Sequence, residues 1–305
     1  MMARPWVDTH IHVSDIAPDG TRRERLLEDL LDVLDRADAD LRFVMSCDGP
    51  YLSRMVQDPA GILEANRLIH ELARRAPGRL YGSCTVNPNF LAESRRAMDL
   101  CFGEWGFVML GEMLQYMMNY RMDSDPVEEL VRAAVGYDVP VQVHLGTYWH
   151  KGFTGSSDGM DHMRDLLRAV DRVPEAKYVL AHAIGCGPTR EYVPWADMFL
   201  DTIAAYFPEY PENFWVEIRD FHCPALRRTL AEVPSTRLLA GTDWTTRHGP
   251  PFQAYGTVFE YREEENPFPP SVGAFVGFLR EAGASEDTIS GIASHNAREL
   301  LYLQA

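Results

Sequence analysis

Eight short hydrophobic runs recur along the chain. The runs are WVDTHIHV from Trp6, LRFVMSC from Leu41, RLYGSCTV from Arg79, GFVMLGEM from Gly106, VPVQVHLG from Val139, KYVLAHAIG from Lys177, FWVEIRDF from Phe214 and RLLAGTDW from Arg237. They are rich in β-branched and aromatic residues and show little alternation, which is typical of strands that are buried on both faces. The pattern therefore predicts eight buried strands.

Helical periodicity lies between these runs. Three apolar stripes have the i, i+3, i+4 spacing of a buried helix face. They are Leu26, Leu27, Leu30, Leu31 and Leu34; Val127, Leu130, Val131, Ala134 and Val135; and Met160, Met163, Leu166, Leu167 and Val170. An α/β chain in which strand and helix alternate eight times has the pattern of a (β/α)8 TIM barrel. A doubly wound parallel sheet is the alternative fold.

The whole chain, residues 1–305, is predicted to form a single TIM-barrel domain. The sequence holds no Pro- or Ser-rich linker, no low-complexity run and no repeat beyond the alternation of strand and helix. The Pro- and Glu-rich EYREEENPFPPSV, residues 260–272, is expected to be a loop before the last helices. The end of the chain, SEDTISGIASHNARELLYL, is expected to be helical.

The net charge and the cysteine content indicate which partners and which cellular compartment to expect. A formal net charge of −16 argues against non-specific binding to nucleic acid or to an anionic membrane. No stretch reaches the roughly 18 apolar residues of a membrane span, and MMARPWVDTH lacks the apolar core of a signal peptide. The five scattered cysteines form no CxxC pair, so reduced thiols in a cytoplasmic protein are expected.

Six side chains that can bind metal ions lie in five of the predicted strands, near the C-terminal ends. They are His10, His12, Glu112, His144, His182 and Asp243. His10 and His12 are two residues apart, and side chains at positions i and i+2 of a strand share one face. Because the C-terminal ends of the strands meet at one mouth of a TIM barrel, all six are expected to converge there.

Each of these residues has an ordinary explanation when it is taken alone. A histidine in an apolar run is usually a hydrogen-bonded core residue, and an aspartate after Gly-Thr is often a helix cap. Four imidazoles and two carboxylates buried together without partners would, however, cost several kcal/mol for each group. A divalent cation removes that cost, because neutral imidazoles and carboxylates bind zinc, manganese and iron. The set therefore predicts a metal site.

The pattern of these residues resembles that of a known family. HxH on the first strand, His on the fifth and sixth strands and Asp on the eighth form the signature of the amidohydrolase superfamily. SHNARELL near the C-terminus is similar to the NARRLL ending of the amidohydrolase-related branch, which includes aminocarboxymuconate semialdehyde decarboxylase, resorcylate decarboxylases, and hydrolases and lactonases of dicarboxylic acids. Glu112, in LGEM, resembles the fourth-strand glutamate of TatD-like nucleases.

The resemblance implies two arrangements of the metal site, and the sequence leaves both open. In a binuclear site, the first-strand pair, Glu112 and Asp243 bind one ion, and Glu112, His144 and His182 bind the other. In a mononuclear site, the first-strand pair, His144 and Asp243 bind one ion, and His182 is free for proton transfer. Zinc is the expected ion, one or two per chain, with manganese or iron as alternatives.

The resemblance also implies the chemistry. The leading prediction is a metal-dependent hydrolase of an amide, ester or lactone bond in a small carboxylated substrate, with Asp243 as general base for a metal-activated water. The alternative is a nonoxidative decarboxylase or hydratase, in which His182 and Asp243 handle a proton at carbon. The net charge disfavours a nuclease, and the complete ligand set disfavours a barrel that only binds ligand.

Candidate substrate contacts follow the fifth and seventh strands. They are Tyr148, Trp149 and Lys151 in TYWHKG, and Arg219 and His222 in EIRDFHC. The guanidinium of Arg219 is suited to a substrate carboxylate, and the aromatic residues favour a small organic substrate with apolar or ring character. Weaker candidates are Tyr116, Arg121, His150, Trp244 and Arg247. Because members of the branch are often dimers, the resemblance leaves a homodimer open.

Overall fold

Strands alternate with helices throughout the residues that the computed structural model describes, which are 3–17, 19–145, 160–184, 195–246, 255 and 271–304. Each of the eight hydrophobic runs contains a strand, which confirms that prediction. The strands are β1 (Pro5–Val13), β2 (Asp40–Cys47), β3 (Leu80–Cys84), β4 (Met109–Leu114), β5 (Val141–His144), β6 (Tyr178–Ile184), β7 (Phe214–Ile218) and β8 (Leu238–Ala240). A short ninth strand, β9 (Trp244–Thr245), follows β8 closely in the chain.

The strands form a parallel sheet that closes on itself. Their order is β8-β7-β6-β5-β4-β3-β2-β1-β9. β9 pairs with β1, with Trp244 beside Ile11 and Thr245 beside His12. Just before β9, the backbone N–H of Asp243 donates to the carbonyl of His10 at 2.8 Å. The end of the eighth strand therefore lies against the first strand, which confirms the TIM barrel. The doubly wound alternative is wrong, because the order lacks the reversal that such a sheet requires.

Helices connect successive strands on the outside of the barrel. In the described ranges they are Leu26–Arg36, Pro50–Gln57, Ala60–Ala73, Leu91–Gly103, Gln115–Met118, Asp125–Gly136, Met160–Arg172, Trp195–Tyr206, Leu226–Glu232, Val272–Glu281, Glu286–Ser290 and Asn296–Leu300, with 3-10 turns at Pro88–Phe90 and Ser235–Arg237 and a π turn at Gly291–His295. Three of these helices carry the predicted apolar stripes. None of the helices described is long and apolar enough to cross a membrane. Residues 260–270 of the predicted loop lie outside the described ranges.

The interior of the barrel has an apolar floor. Near the N-terminal ends of six strands, buried side chains pack into one cluster: Val7, Val44, Met109, Val179, Trp215 and Leu239. Ala297 and Leu300 of the helix Asn296–Leu300, together with Leu301 and Leu303, also belong to this cluster. Polar side chains that follow on the same strands therefore lie between an apolar floor and the C-terminal mouth of the barrel, where TIM-barrel active sites are built.

Candidate metal centre

The six predicted ligand residues meet at the C-terminal mouth of the barrel. Five lie on strands β1, β4, β5 and β6 and are buried, and Asp243 lies between β8 and β9 with its side chain 13% exposed. Two pairs of imidazole nitrogens face each other. Nε2 of His10 is 3.0 Å from Nε2 of His12, and Nε2 of His182 is 2.9 Å from Nδ1 of His144.

Glu112 lies at the centre of the cluster and contacts all four histidines. Its Oε1 is 2.9 Å from Nδ1 of His144, 3.3 Å from Nε2 of His182 and 3.5 Å from Nε2 of His10. Its Oε2 is 3.4 Å from Nε2 of His12. Both oxygens are therefore directed at imidazole nitrogens, as expected of a carboxylate that shares a cation with them.

Asp243 closes the cluster on the side of β8. Its Oδ1 is 3.2 Å from Nε2 of His12 and 3.9 Å from Nε2 of His10. Its Oδ2 is 3.4 Å from Nη1 of Arg219, a guanidinium on the chain after β7. Asp243 therefore presents one oxygen to the histidines and the other to a cation.

The backbone takes unusual conformations where it carries the site. The φ angles of His182 and Asp243 are 33° and 56°, in the left-handed region that residues with side chains rarely adopt. Gly111, just before Glu112, has a φ of 145°, and a Cβ there would lie 2.7 Å from the carbonyl oxygen of Gln142. Strained positions of this kind collect at functional sites, so the backbone supports the position of the site.

Burial and mutual contacts fix the charges within the cluster. Burial opposes protonation of His10, but the charges of Glu112 and Glu217 raise its pKa to about 10. Burial likewise opposes protonation of His12, whose pKa the carboxylates nevertheless raise well above its ordinary value. Burial and the neighbouring His144 lower the pKa of His182. The carboxylates therefore attract positive charge to the centre, and this charge can come from protons or from a metal ion.

The donor set fits a divalent cation. Ligand atoms of three overlapping triads lie within 4.8 Å of one another: His10, His12 and Glu112; His10, His182 and Asp243; and Glu112, His144 and His182. Imidazoles and carboxylates in such groups suit a cation that sits between them at about 2.0–2.2 Å from each ligand. Glu112 belongs to two of the triads, so it could bind an ion in each of them. His10 also belongs to two triads, and these two could bind the same ion. The described residues therefore fit one or two cations.

The comparison with sequence families decides the family. A sequence model described as Amidohydrolase matches residues 7–303, which is nearly the whole chain. The chain belongs to the amidohydrolase family. No curated protein is similar enough in sequence to count as a match. The family expected from the histidine and aspartate pattern is therefore confirmed.

Solved structures align with this amidohydrolase over nearly its full length. The 5-carboxyvanillate decarboxylase from Sphingomonas paucimobilis has a TM-score of 0.64 at 16% identity and covers 99% of this chain and 100% of that chain. A dihydroxybenzoic acid decarboxylase from Polaromonas sp. JS666, solved with manganese and the inhibitor 2-nitroresorcinol, has a TM-score of 0.66 at 16% identity and covers 100% and 98%. The 4-oxalomesaconate hydratase from Rhodopseudomonas palustris has a TM-score of 0.63 at 13% identity and covers 97% and 95%. At these identities the likeness establishes the fold.

One residue of the amidohydrolase site escaped the sequence analysis. Glu217 on β7 is fully buried, and its Oε2 lies 3.1 Å from Nδ1 of His10. It therefore contacts His10 through Nδ1, whereas Nε2 of the same ring faces the cluster. The available signal in the sequence was an acidic residue inside the apolar run FWVEI, because a buried charge needs a partner.

Two of the five predicted substrate contacts, Arg219 and His222, lie in the described ranges. Arg219 lies beside the cluster, where its guanidinium already contacts Asp243 and Asp220. The ring of His222 lies 5.9 Å from that of Phe278, and burial and the charge of Arg219 lower its pKa to about 4. The other three of these predictions, Tyr148, Trp149 and Lys151, lie outside the described residues.

Three of the five weaker candidates, Tyr116, Arg121 and Trp244, lie in the described ranges. The ring of Tyr116 lies 4.6 Å from that of His144, so Tyr116 forms part of the wall beside the cluster. Trp244 is buried, with its ring 5.8 Å from that of Phe43 in the core, and the exposed Arg121 pairs with Asp123. These contacts favour structural roles for Trp244 and Arg121. His150 and Arg247 lie outside the described ranges.

Proposed function

We propose that this amidohydrolase-family enzyme is a metal-dependent, nonoxidative decarboxylase of a small carboxylated substrate. The observation that carries the proposal is the meeting of four histidines and two carboxylates at the mouth of a barrel that aligns end to end with solved decarboxylases. The sequence alone favours hydrolysis. The decarboxylases and the hydratase among the aligned structures favour the alternative, so the order of the two is reversed.

The ligand cluster supports a requirement for a divalent cation. When bound, the cation supplies positive charge that holds a substrate carboxylate or phenolate oxygen and withdraws electrons from the bond that breaks. The first-strand histidines, Glu112 and His144 would hold it together with Asp243. Manganese is the first ion to test because the Polaromonas enzyme contains it, and imidazole and carboxylate ligands also accept zinc and iron.

Proton transfer at carbon would fall to His182, with Asp243 as the neighbouring anion. In a decarboxylation, the carbon gains a proton, its bond to the carboxylate breaks and CO2 leaves. The lowered pKa of His182 keeps its imidazole neutral at neutral pH, which leaves a ring nitrogen lone pair that can accept a proton. Burial opposes the ionisation of Asp243, but His12 and His182 hold its pKa far below the ordinary value. Asp243 is therefore the stable anion of the pair, and His182 the group that changes protonation.

The surroundings of the cluster support an acidic substrate with a ring. The ring centroids of Tyr116 and His144 are 4.6 Å apart, so an aromatic ring lies beside the cluster. The guanidinium of Arg219, which contacts Asp243, adds a positive charge beside the cluster. A ring that carries a carboxylate combines the two properties that these residues favour.

Hydrolysis is the second candidate because of Glu112. Its contacts with all four histidines suit a carboxylate that bridges two ions, an arrangement used to activate water. In that reaction Asp243 would accept a proton from the attacking water and pass it to the leaving group. The substrate would then be an ester, amide or lactone.

The experiment separates the two reactions by their products. The full chain is loaded with Mn²⁺ or Zn²⁺ and incubated in D2O with hydroxybenzoates and 5-carboxyvanillate, and CO2 and the mass of the organic product are measured. Decarboxylation predicts one CO2 and one deuterium on carbon for each turnover. Lactones, esters and amides are tested in parallel by acid release, with Asp243→Asn as the inactive control for both reactions.

The decarboxylase and the hydrolase predict different results in this experiment. Metal-dependent CO2 release with carbon-bound deuterium, absent in Asp243→Asn, supports the decarboxylase. Metal-dependent acid release from a lactone or ester, with no CO2 from any of the acids, contradicts it and supports the hydrolase instead.

A further inference from the structure

Glu217 lies below the proposed metal ligands, in the interior of the barrel. Its Oε1 accepts hydrogen bonds from Oγ1 of Thr9 at 2.8 Å and from Nε2 of Gln142 at 2.7 Å. Its Oε2 lies 3.1 Å from Nδ1 of His10 and accepts a hydrogen bond from the backbone N–H of His182 at 3.2 Å. One carboxylate on β7 is thus joined to three other strands, β1, β5 and β6.

The interior is shaped to hold this carboxylate. A Cβ at Gly241, just after β8, would lie 2.7 Å from Cδ of Glu217, so only glycine leaves the space that the carboxylate fills. Trp215, on the same face of β7, belongs to the apolar floor directly below. A carboxylate buried above such a floor is costly unless charge and hydrogen bonds compensate it. Among the contacts of Glu217 named above, the imidazole of His10 can itself carry a positive charge. It can also bind a cation whose charge offsets that of the carboxylate.

We infer that Glu217 is a positioning residue for the metal site. A carboxylate on Nδ1 keeps the proton there, so that Nε2 carries the lone pair available to a cation. Nε2 of His10 is the atom directed into the cluster, 3.0 Å from Nε2 of His12 and 3.5 Å from Oε1 of Glu112. This inference rests on the proposed function, because it requires that His10 binds a metal ion.

The same carboxylate oxygen also holds the backbone of His182. The N–H of His182 donates to Oε2 at a residue whose φ of 33° is strained for a side chain. Oε2 thus connects a proposed ligand, His10, with the proposed proton carrier, His182. Loss of this oxygen should disturb metal binding and proton transfer together.

The test measures metal affinity separately from activity. Mn²⁺ affinity of the full-length wild type and of Glu217→Gln is determined by competition with a chelator, and the absorption spectrum of the Co²⁺-loaded protein reports the ligand geometry. Loss of a carboxylate behind a ligating histidine is expected to weaken binding about 10- to 100-fold and to shift the Co²⁺ bands. Thr9→Val is the matched control, because it removes a bond to Oε1 and leaves the contact of Oε2 with His10. Its affinity should stay close to that of the wild type.

The outcomes separate this inference from the proposed function. Weak binding in Glu217→Gln with near-normal binding in Thr9→Val supports the inference. A wild type that binds metal, with Glu217→Gln equal in affinity and Co²⁺ spectrum, overturns the inference alone. A wild type that binds no metal overturns both. If circular dichroism shows that Glu217→Gln is unfolded, Glu217→Asp, which withdraws the carboxylate by one methylene, must bind metal more weakly than the wild type, and equal binding overturns the inference.

Discussion

Oε1 of Glu112 lies 2.9 Å from Nδ1 of His144, and both side chains are buried. The same oxygen lies 3.3 Å from Nε2 of His182, on the neighbouring strand. It also lies 3.5 Å from Nε2 of His10, so a single carboxylate oxygen faces three imidazoles, and its partner oxygen faces a fourth, that of His12. This geometry makes Glu112 a proposed ligand as central as the histidines themselves.

Replacing Glu112 by glutamine should therefore damage metal binding. The amide keeps the shape but removes the negative charge that offsets a buried cation. We expect at least about tenfold weaker Mn²⁺ binding and less metal per chain after dialysis, measured by plasma mass spectrometry. The control is Glu104→Gln, at an exposed position. Unchanged metal content in Glu112→Gln would show that Glu112 is not a ligand.

Metal binding should release protons. The carboxylates raise the pKa of His10 to about 10 and that of His12 well above its ordinary value, in each case against the effect of burial. Both imidazoles are therefore protonated at pH 7 in the metal-free protein and must lose a proton to bind an ion. Titration calorimetry at pH 7 in two buffers of different ionisation enthalpy should give different apparent heats of binding. The difference between these heats should correspond to the release of more than one proton. Equal heats would contradict these charge states.

The metal-free protein should lose stability as the pH rises. His10 has a pKa of about 10 in the folded chain against an ordinary value of 6.5. Its protonated form therefore stabilises the fold fully below pH 6.5, and this contribution is lost as the pH rises toward 10. The melting temperature in the presence of a chelator, followed by circular dichroism, should be lower at pH 9.5 than at pH 6.5. A melting temperature that rises over this interval would contradict the prediction.

A methyl group at position 241 should disrupt the support of His10. The Cβ of Gly241→Ala would come within 2.7 Å of Cδ of Glu217, and overpacking of this kind costs about 1–3 kcal/mol. Gly277→Ala is the matched control, since its Cβ would meet nothing within 4 Å in the helix Val272–Glu281, and alanine in a helix is favoured by about 1 kcal/mol. Urea denaturation should therefore show opposite signs for the two variants. Similar stabilities would mean that the space around Glu217 is not constrained.

The fold and the convergence of the six side chains could be predicted because both depend on local patterns. Short apolar runs between helical stripes define strands and helices, and a barrel brings the C-terminal ends of its strands together. Once the strands are assigned, residues as distant in sequence as His10 and Asp243 must share the mouth. The structure places Nε2 of His10 3.9 Å from Oδ1 of Asp243.

The contacts of Glu217 could not be predicted in the same way. Alternation along β7 places Trp215, Glu217 and Arg219 on one face, but the sequence does not show which of them is a partner of His10. The bonds to Glu217 come from three separate strands, one of them from the backbone of His182. The left-handed turn at Asp243, with a φ of 56°, likewise divides the eighth strand and turns Trp244 into the core.

The most direct test of the account is the position of bound metal. Crystals of the full chain loaded with Mn²⁺ should give an anomalous difference peak about 2.0–2.3 Å from Nε2 of His10 and Nε2 of His12, with Asp243 or Glu112 completing the site. We expect this peak in the wild type and a weaker one in Glu112→Gln. No peak among these side chains after reconstitution with either Mn²⁺ or Zn²⁺ would contradict it.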